Sequence, residues 1–178
     1  MTKSFFYLIA LVTIIALWSW LFNSTRIEVG NAVKTFEQKD SSYVIVYVSS
    51  ITCGICTKPS VIKSISQIPN LISRYHIPVR YVFVSMDMLD DEGWKFAKRH
   101  GKWDEISVGG RYYNEVLLFH FNDVEGIIPG VPQIIIYKDY YTYNNFNIPV
   151  LKRRKLMKSI LGEKAILEWI QQKCPMPL

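Results

Sequence analysis

The strongest constraint on this chain's fold is an uninterrupted apolar run, Tyr43-Val-Ile-Val-Tyr-Val48, that leads within five residues into Cys53-Gly-Ile-Cys56. A β-branched and aromatic run without polar alternation is a strand covered on both faces, since neither face carries side chains suited to water. Such a strand needs layers above and below it, which predicts an α/β chain with a central sheet flanked by helices. Residues 79–84 and 133–137 read as two further buried strands. Between the first two, Val61, Ile62, Ile65, Ile68, Leu71 and Ile72 recur at helical spacing, with a break expected at Pro69. The acids of 87–91 start a helix that runs through Trp94 and His100 and ends at Gly101. Residues 163–173 form an amphipathic helix with Ile166, Leu167 and Ile170 on one face. Lys138-Asp139 reads as a turn and 141–146 as a hairpin partner of the third strand. Residues 102–128 read as a short irregular insertion around Gly109-Gly110, with 115–121 compatible with helix or strand.

Apolar residues make up 49% of the 178 and charged residues 20%, a balance that excludes a disordered chain. Residues 5–22 carry no charge. As a helix they reach about 27 Å, close to the hydrocarbon thickness of a bilayer. Trp18 and Trp20 sit near the end of this run, where indole rings favour the membrane interface. A retained anchor and a cleaved signal segment both carry the rest of the chain across the membrane; Trp-Ser-Trp-Leu-Phe suits the anchor better than a cleavage site. The expected organisation is an anchor or signal segment at 1–26, a linker and first element at 27–40, and one domain at 41–178 on the extracytoplasmic side. Part of the net charge of +6 is concentrated in Lys152-Arg-Arg-Lys155 and Lys158. This stretch reads as a solvated loop and helix start, with contact to anionic lipid headgroups or an acidic partner as the alternative. Nucleic acid is not an expected partner outside the cytoplasm.

Two cysteines separated by two residues, between a strand and a helix, are suited to reversible thiol chemistry. Cys53, at the helix N-terminus, gains a thiolate-favouring environment from unpaired N–H groups and the helix dipole. Cys56, one turn on and more buried, can resolve a mixed disulfide. Gly54 and Ile55 between them tune the potential. A structural zinc ion usually takes four ligands. Only Cys174 remains, and His76, His100 and His120 form no spaced pair, so no metal or cofactor is expected. The alternative is a copper-binding module with His120 as third ligand. Cys174 reads as a free thiol, with pairing to another chain or a regulatory role left open.

The order strand, Cys-x-x-Cys, helix, strand, helix, insertion, Gly130-Val131-Pro132, strand, hairpin, helix resembles the thioredoxin-like family over roughly residues 41–173. The resemblance implies a thioredoxin-like fold and thiol–disulfide exchange with protein substrates and a redox partner. It also implies a cis peptide bond before Pro132, with Val131 and Pro132 beside the dithiol as a pairing edge for substrate. Thr52 stands where the family usually has Trp, and 43–48 lacks the family's buried acid. With the anchor and the long insertion before Pro132, these departures point to a specialised membrane-anchored exchanger. Oxidase, reductase and isomerase share these residues, so the direction of electron flow stays open.

Overall fold

The computed structural model describes residues 41–177. The expected anchor at 1–26 and linker at 27–40 lie outside the described residues. Five strands form one mixed sheet in the order β3-β2-β1-β4-β5: β1 (Ser41–Ser49), β2 (Val79–Ser85), β3 (Glu105–Ser107), β4 (Gln133–Tyr143) and β5 (Pro149–Leu161). β1 is central, parallel to β2 and antiparallel to β4.

Both faces of β1 are buried, as its composition requires. Tyr43, Ile45 and Tyr47 enter one core with Phe83, Ile134 and Ile136. Val44, Val46 and Val48 enter a second with Val82, Val84, Ile135 and Tyr137. Burying one aliphatic side chain of this size contributes roughly 1.5–3 kcal/mol. The first core is covered by α1 (Pro59–Ser66), α2 (Ile68–Ile72), α3 (Asp90–Arg99) and α5 (Glu163–Gln171). The second is covered by α4 (Glu115–Asn122), through Leu117, and by Ile127. The break expected at Pro69 falls at Gln67, between α1 and α2. Among the described residues no helix is long and apolar enough to cross a membrane.

The hairpin and the insertion both differ from expectation. Lys138-Asp139 is not a turn: β4 continues to Tyr143, and its hairpin partner is β5 rather than 141–146. Asp139 is buried in mid-strand because Arg154 of β5 meets its carboxylate with two hydrogen bonds, at 2.7 and 2.8 Å. Residues 152–155 are accordingly strand, not a loop and helix start. β5 is the edge of the sheet, where lysine and arginine are tolerated and discourage further pairing. The insertion is also regular. It contains β3 and then α4, whose start is capped by Asn114 Oδ1 accepting from Leu117 N–H at 3.1 Å. Its ambiguity in sequence has a cause: apolar residues lie all round α4, but only Leu117 and His120 are buried.

Under α4 lies a cavity of about 320 Å³ lined by Val44, Val46, Val82, Phe119, His120 and Arg154 among others. His120 Nδ1 and the Tyr137 hydroxyl are 2.8 Å apart. Burial first, and then the Arg154 charge, lower the His120 pKa to about 4. The native state therefore holds a neutral imidazole that the unfolded chain would protonate near its ordinary 6.5. Stability from this site is complete above about pH 6.5 and falls as the pH drops from there toward 4, by about 3 kcal/mol in all. Urea midpoints measured across this window should fall less steeply for His120→Asn than for the wild type; parallel curves would contradict the assignment.

Candidate active site

The site follows from strand register. Val48 pairs with Gln133 across the antiparallel β1–β4 ladder, so the segment leaving β1 and the segment entering β4 lie at the same end of the sheet. Cys53 and Cys56 are on the first segment, Val131 and Pro132 on the second. Ser49 pairs with Ser85 on parallel β2, so Asp87 emerges at that end too.

Cys53 and Cys56 form a disulfide with a Cα–Cα distance of 5.2 Å. Cys53 is half-buried, whereas Cys56 is 0% exposed and belongs to the first core. The burial order is the one read from the sequence, but the pair does not sit on the helix. α1 begins only at Pro59, and Lys58 before it is extended (φ −60°, ψ 130°), since a residue preceding proline is pushed out of the α region. The dithiol lies in turns ahead of α1, closed by Thr57 N–H to Cys53 O and Lys58 N–H to Ile55 O, both 3.2 Å. The donor at Cys53 is therefore local: Cys56 N–H points at Cys53 Sγ from 3.2 Å. A backbone N–H aimed at the sulfur favours its charged form.

The Val131–Pro132 bond is cis, with Pro132 buried and Val131 half-buried against both cores. Pro132 O accepts from Gly162 N–H at 2.9 Å, which fixes this segment to the start of α5. Gly54 and Ile55 are exposed, and a Cβ at Gly54 would meet nothing within 4 Å. Ile55, Met88, Leu89, Ile128 and Leu161 are exposed apolar residues on the segments at this end.

Two residues at the site were not singled out from the sequence. Asp87 appeared there as one of several helix-starting acids, but α3 begins at Asp90 and Asp87 turns inward, 2% exposed. Its carboxylate accepts from Ser50 Oγ at 2.6 Å, Ile51 N–H at 2.9 Å and Ser85 Oγ at 2.6 Å. It thereby pins the loop that carries Cys53. The available signal was its position, two residues beyond a strand parallel to β1. His100 is buried among Tyr47, Phe83 and Phe96, with Nδ1 3.0 Å from Phe96 O. Its Nε2 has no hydrogen-bond partner among the described residues. Burial lowers its pKa, opposed by the Phe96 carbonyl and the Cys56 backbone beside its ring.

His120, by contrast, belongs to the second core on the opposite face of the sheet from Cys56, so the structure does not bring it to the dithiol. Among the described residues no three side chains of metal-binding type cluster. Cys174 is a buried free thiol whose pKa burial pushes up to about 12, an environment of low reactivity.

Sheet order, strand directions, the dithiol turn before α1 and the cis proline before β4 together define a thioredoxin-like α/β fold. Similar solved structures include a thioredoxin from Wuchereria bancrofti, 20% identical with a TM-score of 0.38 over 55% of this chain. This chain spans only 61% of that thioredoxin's length. A thiol:disulfide interchange protein of the thioredoxin family from Chlorobium tepidum TLS is 12% identical, with a TM-score of 0.44 over 73% of this chain and 76% of its own. A thiol:disulfide interchange protein from Bacteroides sp. is 20% identical, with a TM-score of 0.38 over 55% of this chain and 58% of its own. No protein-family model matches the chain, and no curated protein does.

The Asp87 anchor predicts a separable defect. Asp87→Ala strands Ile51 N–H and two hydroxyls, and should lower stability by about 3 kcal/mol. At a temperature where this variant is still folded, thiol exchange at Cys53 should slow by roughly tenfold or more, because the reacting sulfur is no longer held in place. Wild-type exchange rates in the folded variant would show that the loop needs no anchor.

Proposed function

We propose that this chain is a membrane-tethered thiol–disulfide oxidoreductase that exchanges disulfides with extracytoplasmic protein substrates through Cys53 and Cys56. The observation that carries this reading is a disulfide between a half-buried Cys53 and a fully buried Cys56, at the sheet end that also presents Val131 and the cis Pro132.

The asymmetry supports the following order of steps. A substrate thiolate attacks the accessible Cys53 Sγ; a substrate–Cys53 bond forms, the Cys53–Cys56 bond breaks, and Cys56 leaves as a thiolate that takes up a proton. A second substrate thiolate then attacks the substrate sulfur and expels Cys53 as a thiolate. Two electrons pass from substrate to protein, and the same steps reversed reduce a substrate disulfide. Val131 and Pro132 would align an extended substrate segment beside Cys53, with Gly54 leaving open space for its approach. The exposed apolar residues on the segments at this end suit substrates whose cysteines lie in apolar segments. A thiol- or disulfide-bearing redox partner resets the pair, and the chemistry calls for no cofactor. The apolar segment at 5–22 supports a tether for the domain at 41–178 and a location on the extracytoplasmic side.

Cys56→Ala should accumulate mixed disulfides through Cys53, visible as reductant-sensitive adducts on non-reducing gels, whereas Cys53→Ala should form none and lose exchange. Full exchange activity in both single variants would overturn the reading. After reduction, a membrane-impermeant maleimide added to intact cells should label Cys53 of the full chain; labelling only after lysis would overturn the proposed location.

A further inference from the structure

We propose that the β4–β5 hairpin is a second membrane contact, which docks its tip and basic face on an anionic lipid surface. Among the described residues β1 pairs with β4 through Tyr140, and beyond it Tyr141, Thr142 and Tyr143 pair with Leu151, Val150 and Pro149 of β5. At its tip Asn144 Oδ1 accepts from Phe146 N–H at 3.0 Å and Ile148 N–H at 2.9 Å, closing a tight turn. That turn is built to hold apolar side chains outward. Phe146 is 83% exposed and Ile148 55%, and Val150 and Leu151 behind them are also exposed. Apolar side chains grouped at a loop tip mark a contact surface rather than scattered surface chance.

Charge supplies the second, independent observation. Lys138 lies directly opposite Lys155, and Tyr140 opposite Arg153, so these four residues share one face of the hairpin. Like charges directly opposite one another destabilise a sheet. Lys138 and Arg153 lie over the Tyr140 ring, at 5.9 and 4.5 Å from its centroid, which gathers the cations rather than dispersing them. Among the described residues no carboxylate pairs with Lys138, Arg153 or Lys155, in contrast to Arg154 on the other face. Phosphate headgroups neutralise such a cluster while the tip enters the headgroup–acyl boundary; an acidic protein segment would neutralise it but gives no reason for the apolar tip.

The consequence is geometric. The dithiol end of β4 lies about 30 Å along the strand from the tip. A docked hairpin holds the substrate edge away from the bilayer, a setting that a single point of attachment cannot provide.

The full chain can be tested in nanodiscs with the photocrosslinker benzoylphenylalanine in place of Phe146. Crosslinks to phospholipid are expected in mixed phosphatidylglycerol–phosphatidylcholine discs, falling at least tenfold in Lys138→Gln/Arg153→Gln/Lys155→Gln, at about fivefold per charge near the surface. Hydrogen exchange at 143–151 should slow in the mixed discs, and not in the variant. Equal crosslinking in discs of phosphatidylcholine alone, or crosslinking in native membranes to protein instead of lipid, would overturn the proposal. The variant's dithiol exchange with a soluble substrate should match the wild type, which separates failure of this contact from failure of the redox reading.

Discussion

The antiparallel register of β4 on β1 is the interaction on which the candidate site depends. With Val48 opposite Gln133, the chain leaving β1 and the chain entering β4 must pass one another at the same end of the sheet. The register is enforced from both faces. A slip of one residue would turn Ile134 and Ile136 out of the first core and Ile135 and Tyr137 out of the second, exchanging every side chain with its opposite. Core packing on β4 and the position of Pro132 relative to Cys53 are therefore a single constraint.

The remaining elements refine that placement. Asp87 holds the loop before Cys53 from the β2 side, and Gly162 N–H holds Pro132 O from the α5 side. Lys58 and Glu163 are 2.7 Å apart, but with Lys58 exposed and Glu163 only half-buried the pair contributes little energy to the join between the starts of α1 and α5. The dithiol itself is kept off the helix by Pro59, so Cys53 depends on one nearby N–H rather than on a whole helix terminus. Burial then differentiates the two sulfurs: one can meet a substrate and the other can meet only its neighbour.

The central strands, the dithiol and the proline were legible in the sequence because each is a local signal. An apolar run, a Cys-x-x-Cys and a Val-Pro need no distant partner to be recognised. The hairpin was misread because its evidence is non-local: Asp139 looks like a turn residue until Arg154, fifteen residues on, neutralises it inside the sheet. The basic run of β5 looked like loop for the related reason that edge strands carry charge. Asp87 and His100 were seen in the sequence but not assigned to the site, since only the parallel pairing of β2 with β1 and the packing of α3 carry them there. His120, a candidate ligand by residue type alone, is separated from the cysteines by the sheet.

The central claim is that the Cys53–Cys56 disulfide is a reversible redox couple rather than a staple. It is tested most directly by equilibrating the full chain in glutathione buffers of graded potential and counting alkylated thiols at both positions by mass spectrometry. The account predicts one two-electron transition, with both thiols appearing together, at a potential between about −270 and −120 mV. A pair that stays fully oxidised below about −300 mV, in the range of structural disulfides, would contradict it.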